Sequence, residues 1–141
     1  PLTPALIETL LERCHRPYHR RLTALAGTGA VLGVDCHTMA AHGPPVGPDP
    51  GVERPQVCLG NADGTCPQEW LVGLQACFQR RFSGAVTLNT PFSGGWITRF
   101  HGREMPWVQL ELSRGDFADD AEKGRWVLAA LTEWVQRFGS E

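Results

Sequence analysis

Several features that would settle a functional class at once are missing from these 141 residues. Lysine and arginine (13) do not outnumber aspartate and glutamate (15). No broad basic surface is therefore available to neutralise phosphates, which excludes nucleic acid as the expected partner. No apolar stretch approaches the roughly 20 residues that span a bilayer, since the longest run over 30–34 and 126–131. A membrane role is excluded with it. No basic start followed by an apolar run marks residues 1–21 as a signal peptide. No C-x-x-C pair occurs among Cys14, Cys36, Cys58, Cys66 and Cys77, against a zinc ribbon or a thioredoxin-type site. An odd, scattered set fits reduced thiols in a cytoplasmic protein, with Cys36 and Cys58 packed as small hydrophobes. No internal repeat or linker divides the chain, so residues 1–141 are expected to form one domain. No Met begins it, and the start at Pro1 is read as the mark of a processed or excised piece.

What is present alternates helical and strand patterns. Apolar residues recur at three- and four-residue steps over 4–26, with Pro17 predicting a kink or a second helix start. The arginines on that stretch (13, 16, 20, 21) read as a solvated face. Residues 30–35 predict a buried strand, 40–56 a Pro- and Gly-rich loop in a lid or substrate-facing role, and 56–59 a brief strand. Thr65 to Gln68 matches a capping box before a helix reaching about 82. Strands are expected at 85–88 and 106–112, and a last helix is set by acidic residues from Asp116 to Glu122 and a core face including Trp126, Val127, Trp134 and Val135. This order predicts an α/β layered sandwich, helices packed on a mixed, mostly parallel sheet.

In such sheets ligands gather outside the carboxyl ends of strands. Asp35 and His37 lie two apart, so on a strand both face one way, as a ligand with its supporting acid, a general base, or a hydrogen-bonded structural pair. Gln109 and Glu111 repeat that spacing. A carboxylate on a central strand needs a partner, whereas on a half-wet edge strand it is plain surface. Arg99 and Arg114 could clamp a carboxylate or pair with a neighbouring acid. His15 and His19 read as a surface pair. A nucleophilic Cys36 beside His37 is disfavoured because adjacent strand residues face opposite ways.

Together, VDCHTM (34–39), CLGNADGTC (58–66), LNTPFSGGWITRFHG (88–102), VQLELSR (108–114) and the helix RPYHRRL (16–22) resemble the second half of the N-formylglutamate amidohydrolase family. The resemblance implies a zinc-exopeptidase-like fold and zinc-dependent hydrolysis of an N-acyl amino acid such as N-formylglutamate. By position it makes His37 a metal ligand, with Asp35 and Thr38 supporting it. It makes Glu111 the general acid/base, and assigns Asn89, Arg99 and Gln109 to substrate binding. Thr38 stands where the family often has Ser. The family's Pro-His-Ala/Ser-Gly motif and the acid after it have no counterpart here, so the remaining zinc ligands are expected upstream of Pro1. A missing N-terminal segment or a homo-oligomer would complete the site. The alternative is a non-catalytic remnant that binds a small carboxylate.

Overall fold

Thr3 starts the first helix by accepting the Leu6 N–H on its hydroxyl, with Pro4 in the first turn, where its missing N–H costs nothing. This helix, α1 (Pro4–Leu10), runs into a π-helical turn (Leu11–His15) and then α2 (Arg16–Ala26). Pro17 explains the wide turn. Its ring collides with the preceding turn's carbonyl, and the backbone opens so that the Arg16 N–H reaches back to Leu11. The second of the two outcomes expected at Pro17 is the one observed: a helix starting with proline in its first turn. Arg16 pairs with Glu8 at 2.6 Å and also with Glu12.

The computed structural model describes residues 2–139, in two compact units, one reaching Val31 and one starting at Leu32. Pro1, whose place at the start of the chain prompted the expectation of an excised piece, lies outside the described residues.

The second unit contains β1 (Gly33–Met39), β2 (Val57–Gly60), α3 (Gln68–Gln79), β3 (Val86–Leu88), α4 (Trp96–His101), β4 (Trp107–Ser113) and α5 (Asp120–Phe138). Sheet order is β1-β4-β2-β3, with β4 parallel to β1 and antiparallel to β2, and β2 parallel to β3. The expected α/β fold with a mixed, mostly parallel sheet is the one observed. One face of the sheet (Val57, Leu59, Val108, Leu110) meets α3 and α5 through Leu71, Leu74, Phe78, Ala130 and Trp134. Trp70 and Trp134 pack edge to face at 5.3 Å, and the Trp134 indole donates to the Trp70 carbonyl.

Local expectations shift in several places. The first strand starts at Gly33 and runs to Met39, so Asp35 and His37 sit within it, not at its end. Thr65 does not cap α3. Its hydroxyl lies 2.7 Å from the Asn61 carbonyl and 2.8 Å from that of Trp107, tying two loops together, and Pro67 precedes the helix. α4 falls between the strands expected at 85–88 and 106–112, where the sequence reading assigns no element. Val135 is exposed, while Lys123 is buried, its ammonium 2.6 Å from the Gly115 carbonyl and over the Phe117 ring. Cys58 is buried but Cys36 is exposed. No helix among the described residues is long and apolar enough to cross a membrane.

Candidate functional site

Because the strand period is two, odd-numbered residues of β1 and β4 face away from the α3/α5 core. The register then sets polar groups in rows across the sheet. His37 lies beside Glu111, Glu111 beside Cys58, and Cys58 beside Thr87; in the next row Asp35 lies beside Gln109 and Gln109 beside Gly60. The half-wet edge strand that would have made Glu111 plain surface is ruled out, since β4 is central and Glu111 is 7% exposed.

Each polar group in these rows has a partner. The Gln109 amide donates to Glu111 at 2.8 Å, and His37 Nε2 lies 3.0 Å from Asp35. The His37 side chain is 46% exposed and that of Asp35 11%, so the imidazole reaches outward from a sheltered acid. Burial pushes the Glu111 carboxyl above the usual carboxylate range, and Asp35 adds to this, while His37, the Gln109 hydrogen bond and Arg54 pull it back. A carboxyl that holds its proton more tightly than usual can take and return one at a reacting centre.

Two loops cover this face. The segment after β3 folds back so that the Phe92 carbonyl accepts from the Cys58 thiol at 3.3 Å. A Cβ on Gly60 would lie 2.6 Å from the Ser93 backbone, so only glycine admits that approach. From the 40–56 loop, Arg54 makes two hydrogen bonds to Asp49 (2.7 and 2.8 Å) and lies 5.0 Å from the centre of the Phe92 ring. Arg54, Asp49 and Phe92 were not singled out from sequence, because a Pro- and Gly-rich loop has no periodicity from which to read a face.

Of the residues expected at the site, Asp35, His37, Gln109 and Glu111 come together. Asn89 adopts φ 57° and spends both ends of its amide on Asn61, accepting its backbone N–H and donating to its side chain. It braces the turn after β2. Arg99 reaches the same turn, 3.5 Å from the Ala62 carbonyl and 3.9 Å from Asp63. Thr38 faces the opposite side of the sheet from His37, with its hydroxyl and carbonyl on Arg114. That placement corrects the idea that Thr38 supports His37, and Arg114 is engaged there instead of with an acid. Cys36 also faces away from His37, and its thiol is pushed up, first by burial and then by Asp35, the opposite of an activated nucleophile.

A catalytic zinc takes three protein ligands and a water. Among the described residues no group of three or more His, Cys, Asp or Glu side chains converges in that way. His37, Asp35 and Glu111 do not by themselves fit the metal.

Comparison with known proteins agrees with the geometry. No curated protein matches the sequence significantly. Among solved structures, the crystal structure of N-formylglutamate amidohydrolase from Ralstonia eutropha JMP134 superposes with a TM-score of 0.72 at 22% identity, over 96% of this chain and 56% of that one. The chain thus shares that protein's fold and spans a little over half its length. The model of the N-formylglutamate amidohydrolase family matches residues 1–117. With that match over most of the chain, and with the buried Gln109–Glu111 pair set beside Asp35 and His37 on one sheet face, the chain belongs to the N-formylglutamate amidohydrolase family.

Proposed function

We propose that residues 1–141 form part of a catalytic domain that hydrolyses the amide of an N-acyl amino acid, such as N-formylglutamate to formate and glutamate. The observation that carries this reading is Glu111, a carboxylate buried on the central strand with its carboxyl pushed up, flanked by His37. In that role Glu111 takes the proton of the attacking water and returns it to the leaving amine. Gln109 holds the carboxylate in place through its 2.8 Å hydrogen bond.

Zinc dependence belongs to the proposal. His37 would be one ligand, steered by Asp35, with the others supplied from outside residues 2–139. Thr38 is left out of this assignment. Asn89 and Arg99 keep their proposed part in substrate binding by shaping the turn around Asn61 and Asp63. The five free cysteines are in keeping with a cytoplasmic enzyme.

The test is formate release and zinc content in the wild type and in Glu111→Gln. Loss of a positioned acid/base costs on the order of 100-fold or more in rate. We expect that loss with zinc content unchanged, and full activity in the variant would sink the role given to Glu111. A second reading is a non-catalytic carboxylate binder, since among the described residues His37 has no two further ligands converging on it. It predicts no zinc and no turnover, with carboxylate binding that survives His37→Ala.

A further inference from the structure

Among the described residues β1 pairs only with β4, through its odd-numbered peptide groups, so those of Val34, Cys36 and Thr38 point out of the sheet. Their N–H groups meet no acceptor there. The Thr38 carbonyl takes the Arg114 guanidinium at 3.2 Å and the Val34 carbonyl the Cys36 thiol at 3.9 Å, and each oxygen keeps a second lone pair. Edge strands are commonly guarded by lysine, proline, a bulge or an inward charge. Gly33–Met39 has no lysine, no proline and an unbroken register with β4. Asp35 is its one acid. Beside this edge, on the α5 side of the sheet, Cys36, Thr38, Leu112, Val127 and Leu128 line a largely apolar hollow of about 500 Å³, and Leu128 is 66% exposed.

The side chains narrow which strand fits. In an antiparallel pair with a second copy of β1, three registers let the outward groups bond. Centred on Asp35 the pair sets acid against acid, and centred on His37 it sets imidazole against imidazole. Centred on Cys36 it sets Asp35 against His37 twice over, in the non-hydrogen-bonded positions where opposed side chains lie closest. Val34 then bonds Thr38, and Cys36 bonds Cys36. The acid that would turn away an acidic strand thus suits the strand's own copy. We infer that two copies of this chain associate edge to edge through β1, antiparallel and centred on Cys36, with Asp35 of each opposite His37 of the other. Four strands from each copy form one continuous sheet. The two-fold axis stands normal to it, so both apolar hollows lie on the same side. The contact is reversible, and the edge is bared whenever the copies part. The inference goes beyond the hydrolase reading and stands without it.

Sedimentation velocity of the full chain over a range of concentrations tests it, with diamide cross-linking to fix the register. Wild type should move from the mass of one chain to that of two as concentration rises. Cys36→Lys sets two ammonium groups against each other at the axis, and Cys36→Pro removes only an outward N–H and leaves the β4 ladder whole. Each should raise the dissociation constant at least tenfold, the scale of two lost hydrogen bonds, with circular dichroism confirming the fold. A third readout needs no disruptive change. In Cys14→Ser, which removes the other exposed thiol, diamide takes up the hydrogens of the two facing thiols and should join the copies through Cys36. Opposed Cα atoms about 5.5 Å apart lie within disulfide range. One mass at every concentration, or a dimer left intact by both Cys36 substitutions, would overturn the proposal, the latter pointing to the exposed stripe of Ile7 and Leu10 instead. Cross-linking no greater than in the Cys14→Ser, Cys36→Ser double variant would overturn it as well. Formate release enters none of these readouts, so loss of the hydrolase reading leaves them unchanged.

Discussion

Glu111 answers to two opposed demands, because the burial that readies it for proton transfer also costs stability while it is charged. Its carboxyl lies above the unfolded value. It therefore favours the folded state while protonated, below the unfolded pKa, and that advantage fades as pH rises through the folded value. Glu111→Gln keeps an oxygen to accept from Gln109 and removes the charge. The variant should be more stable than wild type by about 1 kcal/mol at neutral pH, the usual scale of such trade-offs, with the gap closing in acid. Urea unfolding at the two pH values measures it, and a variant less stable at neutral pH would contradict the account. At this scale the sequence was informative where spacing fixed direction. The two i, i+2 pairs, Asp35/His37 and Gln109/Glu111, face one way because a strand leaves them no alternative. Asn89 was legible as a special residue but not as a brace, since its partner Asn61 lies on another strand end.

Among the elements, β2 shows how closely the loops press on the site. Gly60 ends that strand directly beneath the Ser93 carbonyl. Gly60→Ala must push backbone against backbone, and overpacking of this kind costs about 1–3 kcal/mol. A fall in thermal midpoint with the circular dichroism spectrum retained is the expected result, and an unchanged midpoint would show that the loop over the sheet gives way freely. Helix and strand existence was largely readable, because apolar periodicity reports burial. Boundaries were not. β1 begins at Gly33, where the Trp107 ring lies over the glycine, and Thr65 turns from capping to bridging because Asn61 and Trp107 offer it better partners. Such long-range contacts leave no local trace.

Over the whole molecule, cysteine exposure gives a direct check on the arrangement. Cys14 and Cys36 are exposed, whereas Cys58, Cys66 and Cys77 are buried, with burial pushing the Cys66 thiol up to about 11. An alkylating reagent at neutral pH should modify two of the five in the native protein and the other three only after denaturation, as mass spectrometry can count. Rapid native labelling of Cys58 would mean that the covered sheet face is open. The fold class was legible from element order alone. The Arg54 clamp was not, because it depends on how a loop of irregular sequence closes over the sheet.

β1 lies at one end of the sheet order, and this gives its backbone two unlike sides. The Gly33 N–H is bonded to the Pro106 carbonyl and the Met39 carbonyl receives the Arg114 N–H, so the odd-numbered peptide groups turn toward β4. Those of Val34, Cys36 and Thr38 turn the other way, and Arg114 bonds only the last of their carbonyls. In heavy water the amide of His37 should hold its proton far longer than those of Val34 and Cys36, residue by alternate residue along one strand. The imidazole at the site thus stands on a backbone group locked on its inner side, while the peptide groups before and after it turn away from β4.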